Sequence, residues 1–208
     1  MKKIITLAIF LMAFTSASAA INSPNVFGAS LTEGSVIFQG KNAPDFGDYS
    51  ASYTQLAFDA LIGFNSRIGL HTGLGLMLNV AIFTNGDDDT GYGTHSSDDV
   101  DDDMTIGMAI TIPAMARFYL SNSFFMEAGA TFDINLFEQW YSGYAEEWDS
   151  NDEQELLNVE LGAGLGFTLG FGLEFNFRYT YGVTDMYKHA EWSNSRLSLG
   201  IGYWFNYR

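Results

Sequence analysis

The stretch GLHTGLGLMLNVAIF, residues 69–83, consists of two interleaved series of residues. One series runs from Leu70 to Ile82 and is aliphatic apart from a single threonine, whereas the other is mostly glycine, small or polar. Strict alternation with a period of two is the signature of a β-strand, because successive side chains point to opposite faces of a sheet. The stretch therefore predicts a strand with one apolar face and one sparsely filled face.

The first 20 residues have the pattern of a secretory signal peptide. Two lysines at positions 2 and 3 precede an apolar core over residues 4–14, and small residues at 17–19 suit a cleavage site. That core is too short to span a bilayer, so we expect an exported chain with one domain over residues 21–208. Without the two lysines, seven basic residues remain of nine, and 25 acidic ones give a formal charge of −18. Such a surface repels nucleic acid, which we exclude as a partner.

The same alternation recurs along the rest of the chain. It predicts eight strands, over residues 26–39, 55–64, 69–83, 105–118, 124–136, 157–168, 171–182 and 196–207. In the first of these strands the apolar series changes phase between Leu31 and Val36. We expect a bulge or a phase shift there, because one extra residue shifts the alternation to the other face.

The connections between the predicted strands alternate in length. Three are tight, near residues 65–67, 121–123 and 170, and four are long, over residues 40–51, 84–103, 142–155 and 185–194. Short turns and long loops therefore lie at opposite ends of the sheet. Outer-membrane barrels have an even number of strands, short periplasmic turns and longer extracellular loops. The predicted fold class is all-β, an eight-stranded antiparallel up-and-down transmembrane β-barrel with both mature termini in the periplasm.

The charged residues indicate which face of the barrel meets lipid. In a soluble barrel of the lipocalin type, the aliphatic series would overfill an interior that eight strands make only just wide enough for side chains. The glycine-rich face fits that interior better, and the charges within the strands lie on it. The aliphatic face then meets lipid, where a basic residue would cost about 2–4 kcal/mol at mid-bilayer. The predicted lumen polar network consists of Asp59, His71, Arg117, Glu127, Asp133, Glu160, Glu174, Arg178 and Arg196.

Charges in this interior need partners, because an unpaired buried charge is costly. If the hairpin is symmetric about Asn122, Arg117 lies directly opposite Glu127. We therefore expect a cross-strand ion pair between these two residues.

The other two arginines are less constrained by sequence. We expect Arg178 to meet Glu160 or Glu174, and no partner for Arg196 follows from the pattern. The network has two interpretations. As structure it plugs the barrel and sets its register, which suits a narrow eight-stranded interior, and as function it lines a thin ion path or a proton-sensitive gate.

The pattern of the whole mature chain resembles the small OmpA/OmpX-type outer-membrane barrels. The closing motif SLGIGYWF resembles the β-signal that the barrel assembly machinery reads, with Ser198, Gly200, Tyr203 and Phe205 at the matching positions. The resemblance implies insertion by that machinery and a monomer among outer-membrane lipid and lipopolysaccharide. Nothing follows the predicted barrel, so we expect no attached peptidoglycan-binding domain.

Two of the long loops are strongly acidic. Together they hold 14 of the 25 acidic residues and neither Lys nor Arg. Carboxylate oxygens suit Ca²⁺ or Mg²⁺, and the weak metal candidates are Asp87, Asp89, Asp98 and Asp101. The spacing departs from that of a calcium loop, with Thr90 in place of the turn glycine and Ser96 in place of the last ligand. A solvated loop is the alternative, as is a loop bridged by divalent ions to lipopolysaccharide phosphates.

No arrangement of residues in the sequence favours an enzyme. His95 and the neighbouring serines are consecutive in a loop, whereas nucleophilic catalysis needs a fixed nucleophile and base. We therefore expect no cofactor and a non-enzymatic barrel that contributes to envelope integrity or presents acidic loops at the cell surface. A narrow passive pore for ions or small apolar solutes is the main alternative, and a lipid-modifying enzyme is a lesser one.

Overall fold

In the computed structural model, the described residues are 25–41, 43, 49–65, 67–83, 103–142, 147–150, 154–188 and 191–205. The predicted signal peptide, residues 1–20, lies outside them. So do the four metal candidates, Asp87, Asp89, Asp98 and Asp101. Among the described residues, no helix has the length and apolar character needed to cross a membrane.

Within the described ranges, nine strands form one antiparallel sheet, and eight of them close into a ring. The strands are β1 (Asn25–Gly40), β2 (Tyr49–Gly63), β3 (Ile68–Phe83), β4 (Asp103–Tyr119), β5 (Phe124–Ser142), β6 (Glu147–Ser150), β7 (Leu157–Thr168), β8 (Leu173–Gly182) and β9 (Trp192–Phe205). The short β6 is an addition that pairs with the loop end of β5. Pairing of β1 with β9 closes the ring, and the predicted eight-stranded up-and-down barrel is confirmed.

The stagger of the ring sets its width. Met108 on β4 has a directly opposed residue on β3, which has one on β2, and so on around the ring. The path returns to β4 at Phe118, a displacement of ten positions (118 − 108). With eight strands this displacement corresponds to a strand tilt of about 40°. Such a barrel has an interior just wide enough for side chains to fill.

The two faces of the barrel differ as the alternation predicts. On β3, Leu76 is 51% exposed on the outer wall while its neighbour Met77 is 2% exposed in the interior. The outer wall is apolar around the ring, and all eight charged lumen candidates and His71 face inward. One carboxylate does not follow this pattern: Glu33 on β1 is exposed on the outer wall, in register with Thr54 and Leu199.

The bulge expected in β1 is wrong. The register between β1 and β9 is unbroken from Phe27 to Gly40, and Val36 and Phe38 pack in an apolar layer inside the barrel. The apolar series changes face because the interior itself becomes apolar near the loop end. The bulge lies instead in β5, where Leu136 is the extra residue opposite Met108 and Ala109.

Candidate functional site: the filled lumen

All nine side chains of the predicted lumen network lie in the interior, where they form two clusters. The turn-side cluster contains Asp59, His71, Arg117, Glu127, Glu174 and Arg178. The loop-side cluster contains Asp133, Glu160 and Arg196. Strands far apart in the sequence meet here because the ring brings their inward-facing positions together.

Arg117 lies at the centre of the turn-side cluster and is completely buried. Its register with Glu127 is the predicted one, and the Nη2 atom lies 3.0 Å from Glu127 Oε2, so the expected ion pair is confirmed. Its guanidinium also binds both oxygens of Glu174, at 2.8 and 3.0 Å. The Phe125 ring covers it, with the guanidinium carbon 3.8 Å from the ring centroid. This forked geometry is the strong form of an arginine–carboxylate interaction.

Glu127 connects Arg117 to the rest of the cluster. Its Oε1 accepts hydrogen bonds from Arg178, whose Nε lies 3.0 Å away. The expectation that Arg178 meets Glu160 or Glu174 is therefore wrong. On the other side, His71 places Nδ1 3.1 Å from Glu127 Oε2 and Nε2 3.2 Å from Asp59 Oδ1. The imidazole thus bridges two carboxylates.

Neutral donors add further hydrogen bonds to the carboxylates of the turn-side cluster. Glu174 Oε2 accepts hydrogen bonds from the Thr168 hydroxyl at 2.9 Å and from Trp204 Nε1 at 2.6 Å. Asp59 Oδ2 accepts one from the Ser30 hydroxyl at 2.5 Å. Every carboxylate oxygen of this cluster therefore has a partner, as a stable buried polar network requires.

The loop-side cluster contains a single arginine between two carboxylates. Arg196 Nη2 lies 2.6 Å from both Asp133 Oδ2 and Glu160 Oε2. The Thr180 hydroxyl donates to the same Glu160 oxygen, and the Tyr53 ring lies beside the guanidinium. The sequence pattern alone gave Arg196 no partner, because β9 meets β5 and β7 only across the lumen.

Beyond the loop-side cluster the lumen holds a cap of side chains, some apolar, such as Val36 and Phe38, and some polar, namely Glu138, Gln154 and Tyr187. Glu138 accepts hydrogen bonds from Tyr187 at 2.8 Å and from Gln154 at 3.1 Å. Burial and the adjacent Glu138 carboxylate raise the pKa of the Tyr187 phenol above its ordinary value. Sequence reasoning missed Glu138, because the bulge at Leu136 turns it from the outer face to the inner one. The same bulge turns Phe137 outward, where it is exposed.

Two cavities between the described side chains of the interior are small. One cavity of about 10 Å³ lies beside the turn-side cluster and is lined in part by His71 and Trp204. Another, of about 30 Å³, lies toward the loop end and is lined in part by Asp133, Asn158 and Glu138. A single water needs about 10–15 Å³, so neither of these two spaces has room for a continuous aqueous column.

The four positions of the assembly motif lie on β9. Ser198 and Gly200 face the interior, whereas Tyr203 and Phe205 are exposed on the outer wall at 46% and 43%. Recognition by the assembly machinery stays a prediction.

Comparison with known proteins identifies a family for most of the chain. A family model described as an outer membrane protein beta-barrel domain matches residues 23–188. No curated protein matches the sequence.

Several solved structures have a similar arrangement of strands. The attachment invasion locus protein Ail of Yersinia pestis is 14% identical, covering 89% of this chain and 100% of its own, with a TM-score of 0.44. OprG of Pseudomonas aeruginosa is 14% identical, covering 88% and 96%, with a TM-score of 0.41. The outer membrane enzyme PagL is 12% identical, covering 85% and 98%, with a TM-score of 0.39. At these identities the likeness is one of fold.

Proposed function

Because the chain belongs to the family of outer membrane protein beta-barrel domains, we propose that it is a closed, non-enzymatic barrel of the outer membrane. In this role it contributes to the integrity of the envelope and presents long acidic loops at the cell surface. It acts as a monomer, surrounded by outer-membrane lipid and lipopolysaccharide, after insertion by the barrel assembly machinery.

The observation that carries this proposal is the filled lumen. Arg117 and Arg196 bridge opposite walls of the barrel at two levels, and the cap at Glu138 and Tyr187 adds a third. A permeating ion would have to break contacts between buried charges, and truncating one partner of such a pair typically costs about 3–5 kcal/mol. This arrangement favours the plug over the passive pore.

The side chains around the one described histidine also favour a non-enzymatic barrel. His71 contacts two carboxylates, Asp59 and Glu127, deep in the lumen. The nearby Ser30 hydroxyl bonds to Asp59 rather than to the imidazole. A serine nucleophile needs its hydroxyl on the base, so this serine, aspartate and histidine stand in the wrong order for catalysis.

The acidic loops are the part of the chain that meets the exterior. Their 14 acidic residues and lack of basic ones give the exposed end a dense negative charge, which keeps such segments solvated. Divalent cations shared between these carboxylates and lipopolysaccharide phosphates would link the barrel to the surrounding leaflet. The loops thus supply the surface function and the filled barrel supplies the anchor.

Planar-bilayer recording tests the closed lumen. The purified protein is added to one chamber, and insertion is verified by its protection from protease in vesicles of the same lipid. We expect no steady unitary current. Reproducible unitary currents that scale with protein concentration would instead support the pore. A shift in lipid A mass when the protein is overexpressed would contradict the non-enzymatic assignment.

A further inference from the structure

The two lumen clusters differ in how completely their carboxylates are satisfied. In the turn-side cluster all six oxygens of Asp59, Glu127 and Glu174 accept hydrogen bonds. In the loop-side cluster Asp133 Oδ1 and Glu160 Oε1 are buried and have no hydrogen-bond partner, and the Thr111 hydroxyl lies beside the Asp133 carboxylate. Two carboxylates share one arginine there, so one negative charge is left without a compensating cation.

The two carboxylates of the loop-side cluster are close together. Asp133 Oδ2 and Glu160 Oε2 each lie 2.6 Å from the same Arg196 nitrogen, so they are at most 5.2 Å apart, twice 2.6 Å. Both side chains are at least 99% buried. An uncompensated buried carboxylate of this kind is costly, because burial removes the hydration of its charge.

Two neutral oxygens next to these carboxylates also lack partners. Asn158 lies directly opposite Asp133 in the register of β5 and β7, and Thr131 lies directly opposite Glu160. Both face the lumen and are 4% exposed, and Asn158 Oδ1 and Thr131 Oγ1 have no hydrogen-bond partner. Four unpartnered oxygens therefore come from adjacent inward-facing positions on one pair of strands.

From this arrangement we infer that the barrel binds a small hard cation between β5 and β7, with Asp133, Glu160 and Asn158 as ligands and Thr131 beside them. Oxygen-only donor sets select hard cations, and the single excess negative charge matches a monovalent ion such as Na⁺. The adjacent cavity of about 30 Å³, lined by Asp133 and Asn158, has room for the ion's remaining water. A shared proton would satisfy one oxygen, whereas a cation satisfies several at once.

Among the described residues, no group of three or more His, Asp or Glu side chains has the arrangement of a metal site. The inferred site differs from such groups because an amide and a hydroxyl supply half of its oxygens. It is also separate from the acidic loops, and it goes beyond the proposed function, since a closed barrel needs no ion to be closed.

Thermal unfolding of the full chain in detergent micelles tests the site. Choline is replaced stepwise by Na⁺ at a fixed chloride concentration, so ionic strength does not change. We expect the melting temperature to rise with Na⁺ and to saturate, because an ion that binds the folded state stabilises it by mass action. An equal melting temperature in choline and Na⁺ would overturn the inference, as would a response to pH without a response to Na⁺.

Variants locate the effect. Glu160→Gln removes the excess charge and is expected to abolish the Na⁺ response, whereas Glu33→Gln removes a carboxylate from the outer wall and is expected to keep it. Asn158→Val removes one neutral ligand without changing the charge. We expect the Na⁺ concentration that gives half of the rise in melting temperature to increase about tenfold. If Glu160→Gln or Asn158→Val leaves the response unchanged, the ion binds elsewhere and the inference is wrong. The Asn158 variant keeps the test decisive if Glu160→Gln does not fold.

Discussion

Replacing Arg117 by methionine is the perturbation that most sharply tests how the lumen is held together. Methionine keeps much of the side-chain volume and the apolar contact with Phe125, but it removes the guanidinium. Glu127 then still has Arg178 and His71 as partners. Glu174 retains the neutral donors Thr168 and Trp204 but loses its cation.

The expected loss in free energy of unfolding follows from this difference between Glu127, which keeps a cationic partner, and Glu174, which does not. Removing one member of a buried ion pair typically destabilises a protein by about 3–5 kcal/mol, because the remaining charge stays buried without a partner. Glu174 is that stranded charge in Arg117→Met. The double variant Arg117→Met with Glu174→Gln removes it, so we expect the double variant to regain at least half of the lost free energy of unfolding.

Urea unfolding in phospholipid vesicles, followed by tryptophan fluorescence, measures these differences. Trp204, one of four tryptophans, donates to Glu174, so part of the signal comes from the affected region. Arg67→Met, in an exposed turn, is the matched control and is expected to change the free energy of unfolding by less than about 0.5 kcal/mol. A loss below about 1 kcal/mol in Arg117→Met, or no recovery in the double variant, would refute the reasoning.

Three further predictions concern other parts of the barrel. Glu33→Leu replaces a carboxylate on the outer wall and is expected to raise the free energy of unfolding in vesicles by about 1–2 kcal/mol; a decrease would contradict a lipid-facing position. In Gly166→Ala the new Cβ would lie 2.5 Å from a backbone oxygen of β8, and we expect a loss of about 1–3 kcal/mol in urea unfolding. Tyr187→Phe removes the hydrogen bond to Glu138. Burial beside that carboxylate raises the pKa of Tyr187, while the unfolded phenol ionises near pH 10. We therefore expect the wild type to have the higher free energy of unfolding below pH 10, and the difference to shrink above pH 10. A difference that grows with alkaline pH would contradict this prediction.

Sequence periodicity was sufficient for the barrel, because a period of two is fixed by strand geometry and the lipid imposes it on every strand. The Arg117–Glu127 pair followed from the same reasoning, since a tight hairpin determines which residues face each other across it. Both predictions depend on contacts between neighbouring strands, whose register is local.

Contacts across the lumen could not be predicted in this way. Arg178 meets Glu127, on the next strand but one, rather than Glu160 or Glu174, because Gly164 lies directly between the two positions and leaves room for the arginine side chain. The bulge at Leu136 was missed for a related reason: a strand with apolar residues on both faces near its end hides the point where the alternation changes. The apolar series in β1 led to the opposite error, because an apolar cap inside the barrel imitates a change of face.

Thiol labelling tests most directly whether the aliphatic face meets lipid and whether the interior is closed to water. Because the chain has no cysteine, single substitutions Leu76→Cys and Met77→Cys place thiols on the outer wall and in the lumen at adjacent positions. In vesicles, we expect Leu76→Cys to react with a membrane-soluble maleimide and not with a charged one, and Met77→Cys to react with neither. Rapid reaction of Met77→Cys with a small charged reagent would show a water-filled lumen and contradict the account.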